Sequence, residues 1–362
     1  MKKRIAFIIP SLESGGAERV VSVLSNELIS KFEVYIFVLY KCTPFYLIHP
    51  EVQIKFCKDI YNPNLNKLES LSNHYQMIST LMSFVKQHNI SMVIGFTSTA
   101  NLYAVAVSKL RGIPSIISER IHPQFFGFGK VMKLIRYLVY SNTNVLVVQT
   151  QAIYNYFRKF IKANKLIIIK NPIDPKLAEA RNLKMPKKNI VLNVGRLVEQ
   201  KNQMLLIKAF SKIKAPGWKL EIVGDGPLKP ELDKCIKELN CNGSIELSGN
   251  IENIADKYNN ASIFAFTSNY EGFPNALTEA MYFGLASIST ECISGPSELI
   301  NHGENGFLIP VGNQLQLEEK LKLLIENEDT RYSINRAAVE SSKKYEIGII
   351  TKQWKELINR LI

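Results

Sequence analysis

The run RIAFIIP, residues 4–10, is apolar almost without interruption, and the chain repeats such runs at regular intervals. FEVYIFVLY, MVIGF, PSIIS and VLVVQT follow in the first half; NIVLNVG, KLEIVGDG, SIELSGN, SIFAFTS, LASIST and GFLIPV follow in the second. A strand with one wet face alternates apolar and polar residues. These runs do not alternate, so both faces of each strand are covered, as in parallel sheets. Between them lie stretches with helical spacing of apolar residues, such as AERVVSVLSNELISK, HYQMISTLMSFVKQHN, NQMLLIKAFSKI and NALTEAMYF. Strand–helix alternation in both halves predicts an α/β chain of two doubly wound, Rossmann-like domains.

A chain of 362 residues exceeds what one core ordinarily supports, which agrees with two domains. The Pro- and Lys-rich stretch NPIDPKLAEARNLKMPKK, Asn171 to Lys188, is the natural linker. The expected boundaries are residues 1–175 for the first domain and 186–344 for the second. The amphipathic tail, residues 345–362, is expected to cross back to the first domain. A content of 46% hydrophobic and 21% charged residues is that of a globular protein. No uncharged apolar run reaches the roughly 18 residues of a spanning helix, and the apolar run Ile5–Pro10 is too short for an export signal. The five cysteines form no CxxC pair, which points to a reducing cytoplasm and away from a disulfide frame or structural zinc.

The net charge of +13 is unevenly placed. Residues 1–180 carry 22 Lys and Arg against 10 Asp and Glu, a balance of +12; the remainder carries 23 against 22. A basic first half suits nucleic acid, an anionic membrane or a polyphosphate ligand; the bland alternative is compositional drift toward lysine.

The candidate site residues fall at strand ends, where open α/β sheets bind ligands. Gly15 and Gly16 precede a helix, so a ligand phosphate can come close to backbone amides there. A plain tight turn explains the pair equally well, and neither a GxGxxG fingerprint nor a GxxxxGK[ST] loop occurs. In GRLVEQKN, Gly195 ends a strand, Arg196 and Lys201 suit a diphosphate, and Asn202 is placed to cap the next helix. The alternative is two solvated cations. In SNYEGFPNALTEAMYFG, Glu271 precedes a helix and Glu279 lies about one turn inside it, flanking Phe273 and Pro274. Pro274 has no N–H, so Asn275, Ala276 and Leu277 are expected to supply the free amides of the first turn. Two carboxylates at a helix start favour hydroxyl pairs over phosphate alone, because charged acceptors bind hydroxyls strongly.

EGFPNALTE, GRLVEQKN and GGAERV, with IVGDGP and ISGPSELINHGENGFLIP, together resemble the retaining glycosyltransferases of family four over nearly the whole chain. The resemblance implies the B-type glycosyltransferase fold, two Rossmann-like domains facing a cleft that holds the donor. It further implies that Arg196 and Lys201 bind the donor diphosphate, Glu279 the ribose, and that Glu271 faces the donor sugar. The Gly15–Gly16 loop would approach the diphosphate or sugar, and the backbone of Ile251 would meet the base. Many relatives carry a His near the sugar where this chain has Arg120, with His122 two residues on.

The expected reaction is metal-independent transfer of a hexose or N-acetylhexosamine from a UDP-sugar to a polyprenyl-diphosphate-linked glycan, in bacterial polysaccharide assembly. No DxD cluster for a metal is visible, so Arg196, Lys201 and helix starts would stabilise the leaving diphosphate. Retention is expected through same-face attack, or else through a covalent intermediate on Glu271. Rival readings are an epimerase or phosphorylase on the same architecture, and a non-enzymatic nucleic-acid binder. No nucleic-acid partner and no cofactor are expected. The expected location is the inner face of the cell membrane. There HPQFFGFGKVMKLIRYLVY would set Phe125, Phe126 and Phe128 beside Lys130, Lys133 and Arg136. The competing reading places Val131, Leu134, Ile135 and Leu138 in the core.

Overall fold

The computed structural model describes residues 2–125 and 129–362. They form two compact units, residues 1–172 with 348–362, and residues 173–347.

The first unit holds strands β1 (Arg4–Ile9), β2 (Glu33–Tyr40), β3 (Gln53–Lys58), β4 (Met92–Phe96), β5 (Ser115–Ser118), β6 (Val145–Val148) and β7 (Leu166–Ile168). They lie in the order β3-β2-β1-β4-β5-β6-β7, every pairing parallel. Helices α1 (Gly16–Leu28), α2 (Lys67–Gln87), α3 (Ser98–Arg111), α4 (Lys130–Tyr140) and α5 (Gln151–Phe157) connect them. Along β1 the side chains alternate between two cores, as the pleat dictates. Ile5, Phe7 and Ile9 pack with α1; Ala6 and Ile8 pack with residues of α2, α3 and α5. Both faces are dry, which is why the strand sequences do not alternate.

The second unit holds β8 (Lys188–Val194), β9 (Lys219–Val223), β10 (Ile245–Gly249), β11 (Ala261–Phe266), β12 (Ala286–Thr290) and β13 (Phe307–Ile309). Their order is β10-β9-β8-β11-β12-β13, again all parallel. Its helices are α6 (Pro175–Ala180), α7 (Gln203–Lys212), α8 (Lys229–Glu238), α9 (Ile254–Asn260), α10 (Asn275–Tyr282), α11 (Pro296–Leu299), α12 (Gln314–Glu326) and α13 (Glu328–Ser342). The strand order reverses between β1 and β4 in one unit and between β8 and β11 in the other. Such reversals open a crevice at the carboxyl ends of the strands. The two Rossmann-like sheets confirm the expected fold class.

The stretch read as a linker is largely structured. Asp174 caps α6 by accepting from the Lys176 amide at 3.0 Å, and Leu177 is buried in the second core. Arg181 lies 3.7 Å over the Tyr282 ring, and Lys187 donates to the carbonyls of Tyr258 and Phe283. The last helix, α14 (Ile347–Leu361), places Ile350, Trp354, Leu357 and Ile358 in the first unit's core, with Trp354 stacked on Phe96 at 5.8 Å. Strands β3 and β7 escape the sequence reading because QIKFCK is mixed and half-exposed and LII is only three residues long. Among the described residues no helix is long and apolar enough to cross a membrane.

Candidate donor site at the β8/β11 switch point

The second unit brings its motifs together where the strand order reverses. β8 ends at Val194, and the following loop carries Gly195, Arg196 and Lys201; β11 ends at Phe266, and its loop carries Glu271. Lys201 Nζ lies 2.6 Å from Glu271 Oε1, with side chains 19% and 7% exposed. The ammonium also sits 5.2 Å from the Phe266 ring centroid. Arg196 is exposed, and its side chain has no ion-pair or hydrogen-bond partner among the described residues. Among the described residues, one paired and one unpaired cation therefore border the switch point.

Backbone geometry fixes these loops. The Gly195 amide donates to Val223 O at 2.9 Å and the Gly224 amide to Gly249 O at 2.8 Å, tying the ends of β8, β9 and β10. Gly224 has φ +139°, and a Cβ there would lie 2.1 Å from Gly195 O, so only glycine fits. Ile251, two residues past Gly249, is half-buried with its side chain against the core. A second tie joins the two loops. The Asn269 amide donates to Gln200 O at 2.7 Å, its side chain donates to Glu199 O at 2.8 Å, and Asn202 Nδ2 donates to Asn269 Oδ1 at 3.1 Å. Asn202 thus does not cap α7 with its side chain, as the sequence suggested. It stands at the cap position with φ +49°, and its amide is spent on Asn269.

The start of α10 is held from the far side. Ser294 Oγ donates to Gly272 O at 2.9 Å and Thr290 Oγ1 to Ser268 O at 2.6 Å. Gly295, with φ +102°, lets the chain close on Pro274, since a Cβ would lie 2.3 Å from Pro274 Cδ. Pro274 occupies the cap position, and the Asn275 amide donates to Phe273 O at 3.0 Å. Among the described residues the free first-turn donors are therefore Ala276 and Leu277, without Asn275. Phe273 is buried edge-on against Tyr345 at 5.9 Å, so it can meet a ligand only through its backbone. Glu279 is buried, and Tyr258 OH donates to its Oε2 at 3.0 Å. Tyr258, Asn269, Thr290 and Ser294 were not singled out from sequence; their neighbours in the motifs were the only signal.

In the first unit, Gly15 and Gly16 lie at the start of α1, and Glu18 folds back over them: a Cβ on Gly15 would lie 2.1 Å from Glu18 Oε2. A carboxylate thus already faces this turn. Thr97, at the end of β4, holds φ +74°, a strained value for a β-branched residue at a switch point. His122 is buried between Phe125 and Tyr156, with ring centroids 5.7 and 5.6 Å away, and burial lowers its pKa. Its Nδ1 lies 3.3 Å from the Gln124 amide, which donates to it.

Helix α4 corrects one part of each competing reading. Arg136 is not a surface cation: it is buried, 5.6 Å from the Phe157 ring, and its charge acts on the buried Glu119. The core reading of the apolar set fails as well. Val131, Leu134, Ile135 and Leu138 are 71%, 58%, 40% and 61% exposed, along one stripe at i, i+3, i+4 and i+7. Phe126 and Phe128 lie outside the described residues.

A hollow of about 660 Å³ opens near the amino ends of β8, β9 and β10, lined by Lys188, Lys219, Glu221, Glu246 and Lys257. Glu221 is paired with Lys257 there, and none of the motif residues reaches it.

Comparison with known proteins identifies the family. Residues 14–177 match the family model "Glycosyltransferase Family 4", and residues 176–341 match "Glycosyl transferases group 1". Two Campylobacter jejuni enzymes are similar along their whole length. One is a GalNAc-GalNAc-diNAcBac-PP-undecaprenol alpha-1,4-N-acetyl-D-galactosaminyltransferase, 28% identical over 98% of both chains. The other is an N-acetylgalactosamine-N,N'-diacetylbacillosaminyl-diphospho-undecaprenol 4-alpha-N-acetylgalactosaminyltransferase, 30% identical over 95% of this chain and 96% of its own. Among solved structures, Anabaena Alr3699/HepE in complex with UDP superposes with a TM-score of 0.82 at 19% identity, covering 100% of both chains. That likeness establishes the fold, and with the two family matches and the full-length relatives it places this chain in glycosyltransferase family 4.

Proposed function

We propose that the chain transfers a hexose or N-acetylhexosamine, with retention and without a metal, from a UDP-sugar to a polyprenyl-diphosphate-linked glycan at an anionic membrane surface. The observation that carries this reading is the Lys201–Glu271 pair at the β8/β11 switch point, with Arg196 unpaired beside it among the described residues. Breaking the anomeric C–O bond puts negative charge on the departing diphosphate. Arg196, Lys201 and the amides of Ala276 and Leu277 are donors positioned to receive it. Glu279, steadied by Tyr258, suits a ribose diol.

Same-face attack needs no nucleophile from the protein. The acceptor hydroxyl oxygen bonds to the anomeric carbon, the bond to the diphosphate breaks, and the acceptor proton passes to the leaving phosphate oxygen. Glu271 already accepts a charged hydrogen bond from Lys201, which blunts it as a covalent nucleophile and favours this route. The undecaprenol-linked substrates named for the Campylobacter relatives support the acceptor class, and the UDP complex of HepE supports the nucleotide. The exposed apolar stripe of α4, on a first half of charge +12, supports a membrane-surface location.

The test is a panel of UDP- and GDP-sugars read by thermal shift, followed by transfer to a polyprenyl-diphosphate glycan with and without EDTA. One UDP-sugar should raise the melting temperature, the product should keep the donor's anomeric configuration, and EDTA should leave the rate intact. Stabilisation by GDP-sugars only, an inverted product or complete loss with EDTA would each overturn the corresponding part.

A further inference from the structure

Arg120 has an unused hydrogen-bonding edge. It stands two residues past β5, at the carboxyl end of that strand in the first sheet, outside the motifs of the second unit. Two contacts hold it, and its neighbour in the chain is fixed as well. Nη1 donates to Asn171 Oδ1, the guanidinium carbon lies 4.2 Å over the Phe96 ring, and the preceding Glu119 is locked by Ser98 and Tyr140. Nε and Nη2 are buried and have no hydrogen-bond partner among the described residues. A buried charged donor without a partner is costly, and such groups in native proteins call for an explanation.

The unused pair forms one edge of the guanidinium fork. Its two N–H bonds are parallel and spaced to grip two oxygens of one phosphoryl or carboxylate group. The charged groups acting on Arg120 are Glu119 and Glu18. Neither accepts from this edge: Glu119 accepts from Ser98 and Tyr140, and Glu18 is folded over Gly15. The edge is therefore charged, buried and without a hydrogen-bond partner among the described residues, an unmet donor pair that an anion would satisfy. Burial lowers the guanidinium's pKa, and a bound anion would oppose that effect.

We propose that the Nε–Nη2 edge of Arg120 binds two anionic oxygens of a substrate diphosphate, making Arg120 a binding residue of the first unit. The proposal rests on the transferase reading above. A diphosphate occurs in both substrates of that reaction, the nucleotide donor and the lipid-linked acceptor, and the experiment separates them.

Arg120→Gln removes the charge and the fork; Arg120→Lys keeps the charge alone; Asn171→Ala frees the fork from its anchor. Steady-state kinetics on the full chain should show Arg120→Gln raising one KM at least tenfold, with Arg120→Lys recovering little and Asn171→Ala shifting the same KM less. A rise in the donor KM assigns the edge to the nucleotide diphosphate; a rise in the acceptor KM assigns it to the lipid diphosphate. Calorimetric titration of inorganic pyrophosphate gives a readout independent of turnover, and Arg120→Gln should lose a site or weaken binding tenfold. Donor and acceptor KM values and pyrophosphate binding all within twofold of wild type would overturn the proposal. If Arg120→Gln fails to fold, the same criteria apply to Arg120→Lys. A wild type that binds pyrophosphate through Arg120 but turns over no UDP-sugar would instead sink the transferase reading.

Discussion

Lys201 and Glu271, seventy positions apart, meet at 2.6 Å in a site where both side chains are mostly out of water. The pair links the loops after β8 and β11. Removing one partner strands the other charge, which costs about 3–5 kcal/mol for a buried pair. Lys201→Ala should therefore lower stability as well as turnover, and Lys201→Met combined with Glu271→Gln should recover much of the stability. Chemical denaturation of the two single variants and the double checks this. Additive losses would show that the pair is not coupled.

Arg196 gives the complementary case. Its side chain is exposed and unpaired among the described residues, so Arg196→Ala should leave the melting temperature within about a degree. Transfer should nonetheless fall by roughly two to three decades, the scale of losing one transition-state donor. A rate near wild type would remove Arg196 from the reaction.

Gly224 tests the backbone that holds these loops. Its φ is +139°, and the 2.1 Å that would separate an added Cβ from Gly195 O leaves no room for a side chain. Gly217 also has positive φ, +81°, but nothing lies within 4 Å of its Cβ position. Gly217→Ala should cost only the conformational strain, about 1 kcal/mol. Gly224→Ala should cost several times more and should abolish nucleotide binding. Equal melting temperatures for the two variants would contradict the close approach.

Tyr258 and Glu279 divide a smaller task. Tyr258→Phe keeps the packing and removes the 3.0 Å hydrogen bond to Glu279 Oε2. UDP affinity should fall several-fold in Tyr258→Phe and tenfold or more in Glu279→Ala, the scale of a hydrogen bond to a charged group. The rate at saturating donor should change less than affinity in both, because this contact is shared by ground and transition states. Calorimetric UDP binding beside saturation kinetics separates the two quantities.

The positions of the candidate site residues were legible in the sequence because their neighbours punctuate the chain. Gly195, the Gly-Phe-Pro-Asn turn and the two glutamates stand between a continuous apolar run and a helical pattern. That arrangement alone places them at strand ends. The residues that hold them were not legible. Asn269, Thr290 and Ser294 act through bonds to backbone groups 22 to 70 positions away, and no local spacing encodes such partners. Asn202 shows the same limit from the other side: its local pattern indicates a helix cap, but tertiary contact with Asn269 claims the side chain. Helix α4 reads ambiguously for a related reason. An apolar stripe at helical spacing faces the core in most helices, and only the burial of Arg136 on the opposite face shows that this one is turned outward.

That outward stripe makes the membrane prediction specific. Val131, Leu134, Ile135 and Leu138 expose apolar surface, with Lys130 exposed and Lys133 on the same helix. Each lysine near an anionic surface adds on the order of 1 kcal/mol of attraction, and the apolar stripe adds burial in the headgroup layer. Full-length protein should co-sediment with vesicles containing anionic lipid more than with neutral ones, and rising salt should weaken the difference. Lys130→Glu with Lys133→Glu should remove the preference for anionic lipid. Val131→Ser with Leu134→Ser and Leu138→Ser should lower binding to both vesicle types, because these side chains are exposed and their loss spares the core. Arg136 is left untouched, since its burial against Phe157 and near Glu119 makes it part of the fold. Equal sedimentation of wild type and both variants with every vesicle would mean that the stripe covers some other partner, and that the basic half serves its anionic substrates alone.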